Sequence, residues 1–124
     1  MRFEVLSDPI NVKPVLEIIK PIEDLLYIGD EEIITISRTL VLGPITIKTV
    51  AEDPDGEITK VELYIDNVLK NTTTKEPYDF LFNDRLIGLH NITIKAYDND
   101  GKTTEKGLDI LILNFGLRNL IKKT

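Results

Sequence analysis

Cysteine is absent from this sequence of 124 residues, and histidine occurs only once, at position 90. Without cysteine the chain can form neither a disulfide framework nor a thiolate metal site. A Ser–His–acid triad needs a nucleophile, a base and an orienting group within hydrogen-bond reach. The only histidine and serines available for it are His90, Ser7 and Ser37. The sequence therefore predicts no catalytic residues, and we expect a protein that is not an enzyme.

Alanine is also scarce, although it is the strongest helix former, and it occurs only at Ala51 and Ala96. Isoleucine, leucine, valine and threonine are frequent instead. Of these, the β-branched residues fit a pleated sheet better than a helix. No segment repeats its apolar residues with the helical period of 3.6. The sequence therefore predicts an all-β fold.

Long apolar runs and basic clusters are missing as well. No run approaches the roughly 20 apolar residues of a membrane span, and no signal-peptide pattern follows Met1. The formal net charge is −6, and the basic residues are scattered, whereas a phosphate-binding surface needs clustered lysine and arginine. We expect no nucleic-acid partner and no membrane span in this segment. The acidic balance suits a cation or a basic partner.

Short apolar segments bounded by Gly, Pro, Asp and Asn recur at the spacing typical of an antiparallel β-sandwich, with about 7–9 strands. Asp66-Asn67 is typical of a two-residue hairpin loop. Alternation with a period of two predicts which side chains face the core. We expect Val61, Leu63, Ile65, Ile92, Ile94 and Ala96 to be buried, with Lys60, Glu62, Thr93 and Lys95 exposed.

The segments DPDGEITKVELYIDN, PYDF and GLHNITIKAYDNDG resemble the bacterial Ig-like domains that occur as repeats in large surface proteins. Polycystic-kidney-disease-type domains share the two acidic turns, but their Trp and Phe-Gly-Asp-Gly segment is missing here. The resemblance implies an immunoglobulin-like fold over residues 13–115. Residues 1–12 then form an N-terminal extension or linker, and residues 116–124 a C-terminal tail or linker.

The resemblance also implies a function. Such domains serve as non-catalytic spacers or interaction modules of larger extracellular or cell-surface proteins, and their partners are neighbouring domains of the same polypeptide. The alternative is a calcium-dependent accessory module that binds carbohydrate or protein. A third interpretation, an accessory subunit with an intracellular partner, also stays open, because no export signal is visible in this segment.

Two predicted strands that contain the sequence Ile-Thr-Ile-Lys end in similar turns, Asp53-Pro54-Asp55-Gly56 and Asp98-Asn99-Asp100-Gly101. In an immunoglobulin-like fold these are strands B and F, which run towards the same end. Carboxylate oxygens in such a cluster suit Ca²⁺, although Asp and Asn also build turns through bonds to their own backbone. The predicted calcium ligands are Glu52, Asp53, Asp55, Asp98 and Asp100, and no other cofactor is expected.

His90 shares the face of Ile92 and Ile94 by strand parity. Its position resembles that of the corner tyrosine of immunoglobulin-like folds, whose polar tip bonds a nearby backbone group. This favours a buried structural histidine over a ligand or a pH switch.

The C-terminal stripe Leu111, Leu113, Phe115 and Leu117 departs from inward-only patterning. Two interpretations remain open for it. One is an edge that the N-terminal segment covers, and the other is a contact with a neighbouring module.

Overall fold

The computed structural model describes residues 12–115, which form ten strands and no helix. Most of the predicted extension (1–12), the predicted tail (116–124) and Leu117 lie outside this range. Within it, no helix is long and apolar enough to cross a membrane. The strands are β1 (Val15–Lys20), β2 (Leu25–Ile28), β3 (Glu31–Thr35), β4 (Leu40–Leu42), β5 (Ile45–Glu52), β6 (Ile58–Ile65), β7 (Val68–Thr73), β8 (Tyr78–Phe82), β9 (Ile87–Asp98) and β10 (Thr103–Leu113).

Two sheets pack face to face, as the all-β sandwich prediction requires. The smaller sheet has the order β1-β5-β8, and the larger one has the order β3-β2-β4-β10-β9-β6-β7. Most neighbours are antiparallel, but β4 pairs in parallel with both β2 and β10. The three residues of β4 show no readable period, so the sequence did not predict this strand.

The predicted inward register is confirmed on both central strands. The six side chains expected in the core, on β6 and β9, are all buried. Ile45 and Ile47 of β5 and Phe80 of β8 meet them from the smaller sheet. The hairpin loop is also confirmed, because Asp66 and Asn67 both have positive φ, at 51° and 69°. This is the conformation of a type I′ turn.

The prediction that Glu62 is exposed is wrong. Its side chain points away from the core, as parity requires, but it is only 6% exposed. The hydroxyls of Tyr64 and Tyr97 both donate to Glu62 Oε1 at 2.7 Å, and Lys60 Nζ lies 3.3 Å from Oε2. Lys60 also lies over the Tyr97 ring, 4.4 Å from its centroid. The outer face therefore carries its own buried polar network.

The hydrogen bonds of Glu62 shift the pKa of Glu62 and the pKa values of the tyrosines that donate to it. Burial alone would raise the pKa of Glu62, but bonds from Tyr64, Tyr97 and Lys60 outweigh it and lower the pKa. The same bond from Tyr64 raises the pKa of that phenol to about 12. Lys60, Thr93 and Lys95, which were predicted to be exposed, are half-buried around this network.

Replacement of Glu62 by alanine should lower the free energy of unfolding by about 1–3 kcal/mol, because two hydroxyls lose their acceptor at a buried position. Urea unfolding measures this change. Glu105→Ala is a matched control on the same face, and it should cost less than about 0.5 kcal/mol because Glu105 is exposed. In Glu62→Gln, spectrophotometric titration should show two tyrosines, Tyr64 and Tyr97, whose pKa values fall towards the ordinary value. Equal stability of the two alanine variants would contradict the network.

Candidate metal site

The two acidic turns lie side by side at one end of the sandwich. One turn joins β5 to β6 and the other joins β9 to β10. Asn99 ties them together, because its backbone N–H donates to Glu57 O at 3.0 Å and its Oδ1 accepts from Glu57 N at 2.9 Å. The predicted convergence of the two strand ends is therefore present in the structure.

Three of the five predicted ligands come together. Asp53, Asp55 and Asp98 each present a carboxylate oxygen, and these oxygens all lie within 4.8 Å of one another. Glu52 and Asp100 do not belong to this group, and both are exposed. Glu52 is the last residue of β5, and the backbone N–H of Asp100 donates to Asp98 Oδ1 at 2.9 Å.

The two carboxylate oxygens of Asp98 have different surroundings. Its side chain is 3% exposed. Oδ1 accepts backbone N–H groups from Asp100 at 2.9 Å and Lys102 at 2.8 Å. Oδ2 is buried and has no hydrogen-bond partner. One oxygen therefore builds the turn while the other faces the neighbouring carboxylates.

Asp53 and Asp55 repeat this division. Asp53 Oδ1 accepts the backbone N–H of Asp55 at 3.4 Å, and Asp55 Oδ2 accepts that of Val12 at 3.4 Å. The other oxygens, Asp53 Oδ2 and Asp55 Oδ1, are buried without a hydrogen-bond partner. A buried polar atom of this kind costs free energy unless something compensates it. Three such oxygens lie together in this cluster, so one cation placed among them would compensate all three.

The charges of the cluster act on Asp53 in particular. Desolvation raises the pKa of Asp53, and its contact with the Asp55 carboxyl and repulsion from Asp55 and Asp98 add to this. The charged form of Asp53 is therefore disfavoured in the folded protein.

Gly56 allows the two turns to approach each other. A Cβ atom at this position would overlap Asn99 Oδ1 and lie 3.0 Å from Asp53 Oδ2. Any larger residue would push the Asp53 carboxylate or the Asn99 side chain out of place. The absence of a side chain at Gly56 thus lets Asn99 and Asp53 keep their positions between the two turns.

An open groove of about 330 Å³ lies beside the cluster. Four carboxylates line it, and Tyr78 forms part of its wall. Two of these carboxylates, Glu57 and Glu76, were not among the residues predicted from the sequence. Glu57 directly follows the Asp-Gly turn, so adjacency could have indicated it, whereas Glu76 precedes β8 and no local pattern marks it. The lining side chains are Ala51, Glu52, Asp53, Gly56, Glu57, Ile58, Glu76 and Tyr78.

His90 lies far from this cluster and differs from its prediction. It is half-buried, with its side chain 19% exposed, rather than buried. Its main partner is a carboxylate and not a backbone group, since Nδ1 lies 2.6 Å from Asp66 Oδ2 and Nε2 lies 3.4 Å from Ile87 O. The Asp66 bond raises the pKa of His90. Eight residues of β9 separate His90 from Asp98, which is about 27 Å along a strand.

Comparison with known protein families gives one match. The family model described as "Bacterial Ig domain" matches residues 35–104, more than half of the chain. No curated protein sequence matches the chain.

Several solved structures are similar in fold. The fibronectin(III)-like modules of Clostridium thermocellum CbhA superpose with a TM-score of 0.65 at 24% identity, covering 86% of this chain and 50% of theirs. The endo-β-1,4-mannanase of Thermotoga petrophila gives 0.57 at 12% identity, covering 87% of this chain and 21% of that chain. A third structure is the protein SGBP-B from the Bacteroides ovatus mixed-linkage glucan utilization locus, in complex with a mixed-linkage heptasaccharide. It superposes with a TM-score of 0.52 at 17% identity, covering 85% of this chain and 25% of that chain. The chain thus spans half or less of each of these proteins.

Replacement of Asp53 by asparagine should stabilise the metal-free protein at neutral pH. A raised pKa in the folded state means that wild-type stability is lost as pH rises through that pKa. The Asp53→Asn variant lacks this loss, so its melting temperature in EDTA should exceed that of the wild type at pH about 7. The difference should shrink as the pH falls to the ordinary aspartate pKa of about 4.

Thermal melts at several pH values measure this effect. Asp100→Asn is the matched control, because Asp100 lies in the second turn but outside the cluster. If Asp53→Asn melts at the wild-type temperature at every pH, repulsion within the cluster does not affect stability.

Proposed function

The chain belongs to the bacterial Ig domain family, and we propose that it serves as a non-catalytic module that separates neighbouring domains of a larger extracellular or cell-surface protein. The observation that carries this proposal is the position of the two ends of the described chain. They lie at opposite ends of the sandwich, so that domains joined to them would be held apart.

The entry of the chain is at the acidic end. Val15 pairs with Glu52, the last residue of β5, and Val12 N donates to Asp55. The exit is at the other end, where Leu113 pairs with Ile87, the first residue of β9. β10 alone has 11 residues, which span about 37 Å at the usual rise of a strand. This geometry suits a rigid spacer.

We further propose that Ca²⁺ binds at the acidic end, through Asp53, Asp55 and Asp98. Their three unpartnered oxygens are hard ligands of the kind that Ca²⁺ prefers. Ca²⁺ accepts irregular sets of six to eight oxygens, whereas Mg²⁺ demands a near-ideal octahedron. Backbone carbonyls and water would complete the set. Because this is also the end at which the chain enters, the ion would stiffen the junction with a preceding domain.

A calcium-dependent module that binds carbohydrate or protein is the second candidate. The saccharide complex of the similarly folded Bacteroides ovatus protein favours it. Sugar recognition relies on exposed aromatic rings, but Tyr78 beside the acidic groove is only 7% exposed. Among residues 12–115, Phe115 is the only aromatic residue that is largely exposed, and it lies at the opposite end. We therefore place this function second.

Thermal melts in Ca²⁺, Mg²⁺ and EDTA test the ion site. An ion that binds only the folded state stabilises it by mass action, so the melting temperature should be highest in Ca²⁺. Sites in extracellular modules are often weak, with Kd values of about 10⁻⁴–10⁻³ M, and a roughly millimolar addition is appropriate.

Asp53→Asn combined with Asp98→Asn should abolish the separation of the three melts. This pair keeps the turn bond of Asp98, because the amide Oδ1 can still accept from Lys102 N. Asp100→Asn is the control and should retain the response to Ca²⁺. Coincident wild-type melts in all three solutions would refute the site.

A tandem of two full-length copies tests the spacer function by small-angle X-ray scattering. Since the chain enters and leaves at opposite ends, we expect an elongated particle whose maximum dimension is about twice that of one copy. One copy is the control. A compact particle, in which the copies lie side by side, would contradict the spacer function.

A further inference from the structure

Asp66 attaches the turn between β6 and β7 to the start of β9, at the end of the sandwich opposite the acidic turns. Its Oδ2 lies 2.6 Å from His90 Nδ1. Its Oδ1 accepts the backbone N–H of Asn91 at 2.9 Å, and its own backbone N–H donates to Asn91 O at 2.8 Å. One aspartate therefore joins the turn to two consecutive residues of β9 through three contacts.

Both nitrogens of the His90 ring face hydrogen-bond acceptors. Nδ1 faces the Asp66 carboxylate, and Nε2 lies 3.4 Å from Ile87 O. A neutral imidazole has one N–H and can donate to only one of these acceptors, whereas the doubly protonated ring donates to both. The positive charge of that form also attracts the carboxylate. The geometry therefore fits the protonated ring better than the neutral one.

The pKa values of the pair agree with this geometry. The hydrogen bond to Asp66 is the main cause that raises the pKa of His90, and it outweighs the effect of desolvation. The pKa of Asp66 is lowered, first by the backbone N–H of Asn91 and then by His90. Each partner therefore favours the charged form of the other.

Other charged side chains at this end of the sandwich have their own surroundings. Lys70 of β7 and Asp84 of the loop before β9 form an ion pair with each other at 2.9 Å, and Arg85 in the same loop is exposed. Asp109 lies on the outward side of β10 and accepts a side-chain hydrogen bond of 3.0 Å there, whereas the side chain of His90 lies on the inward side of β9. The protonation of His90 therefore responds chiefly to Asp66.

The hairpin that Asp66 attaches has little else to hold its second strand. β7 is the last strand of the larger sheet, and in the described part of the chain it pairs with β6 alone. Its first two side chains, Val68 and Leu69, are 61% and 49% exposed. A segment with few buried apolar contacts opens locally at low free-energy cost. The contacts of Asp66 with β9 therefore matter for the local stability of the hairpin.

We propose that His90 and Asp66 form a pH-sensitive clamp, which fastens the β6–β7 hairpin to β9 when His90 is protonated and loosens it when His90 is neutral. Because the pKa of His90 is raised in the folded protein, its stabilising effect is complete below the ordinary histidine pKa of about 6.5. The effect is lost as the pH rises through the raised value.

Asp66 sets the acid limit of the clamp. Its pKa is lowered, so its contribution is present above the ordinary aspartate pKa of about 3.9 and is lost as the pH falls through the lowered value. The clamp is therefore closed in mildly acidic solution and opens as the pH rises above about 6.5. It does not depend on Ca²⁺ or on the spacer function, because it lies at the other end of the sandwich.

An NMR titration of the full-length chain tests the clamp. His90 is the only histidine, so its ring resonances report one pKa without ambiguity. We expect this pKa to lie above 6.5 in the wild type and to fall towards about 6.5 in Asp66→Asn. Asparagine suits a turn with positive φ, and its amide oxygen can still accept the backbone N–H of Asn91, so this variant should fold.

Hydrogen exchange of the backbone amides of Asp66 and Asn91 measures the opening of the clamp. After correction for the intrinsic pH dependence of exchange, their protection in the wild type should fall several-fold as the pH rises through the measured histidine pKa. In Asp66→Asn this pH dependence should disappear. Asp109→Asn is the matched control, because it removes a nearby carboxylate but keeps an oxygen that can accept from the Asn91 side chain. It should leave the histidine pKa and the pH dependence of protection unchanged.

Three results would overturn the proposal. A histidine pKa that is the same in the wild type and in Asp66→Asn would mean that the two side chains do not act on each other. Protection of the Asp66 and Asn91 amides that does not change with pH would mean that protonation of His90 does not fasten the hairpin. Equal decreases of the histidine pKa in Asp66→Asn and Asp109→Asn would assign the effect to the general negative charge of this end.

Discussion

Repulsion among the carboxylates of Asp53, Asp55 and Asp98 is the constraint on which one end of this sandwich depends. β5 and β9 belong to different sheets, and they end at the same level. At that level the two acidic turns lie against each other. The close contact at Gly56 and the bonds between Asn99 and Glu57 hold them in that position. The fold therefore holds the three carboxyl groups close together, and the repulsion from Asp55 and Asp98 adds to the burial that disfavours the charged form of Asp53.

The long central strand β9 connects this end to the other. Its inward side chains form the middle of the core, and its last residue, Asp98, lies in the acidic cluster. Its first outward residues, Ile87 and Leu89, are exposed and lie beside Leu113 and Leu111 of β10, on the outer side of the larger sheet. The two ends thus have opposite chemistry. One end presents clustered carboxylates, and the other presents exposed aliphatic side chains.

The sequence predicted those features that local chemistry determines. The period of two set the inward register of β6 and β9, and Asp66-Asn67 predicted the hairpin. The similar sequences of the two Asp-Gly turns predicted which strand ends converge. Features that depend on non-local partners were not predictable. Glu62 is buried beside Tyr97, which lies 35 residues away in the sequence and donates a hydrogen bond to it. No pattern around Glu62 indicates that contact.

Strand order explains why other features of the structure could not be predicted from the sequence. The aliphatic side chains on the outer side of the larger sheet form one surface only because β2, β3, β4, β9 and β10 are neighbours, and each strand contributes only one or two of them. Within β10 the same residues were visible as a stripe, for which two interpretations stayed open. β4 is too short for a period, and Glu76 reaches the acidic groove from a loop in another part of the chain.

The central claim is that the acidic end binds Ca²⁺ through three carboxylates. A two-dimensional ¹H–¹⁵N NMR titration of the full-length protein with CaCl₂ tests it most directly. The account predicts saturable shifts confined to the two turns, with the amides of Gly56, Asn99 and Gly101 among the largest, while the amides of Leu89 and Leu111 at the other end stay in place. Absence of any saturable shift in the turns up to roughly 10 mM Ca²⁺, above the usual range for extracellular modules, would contradict it.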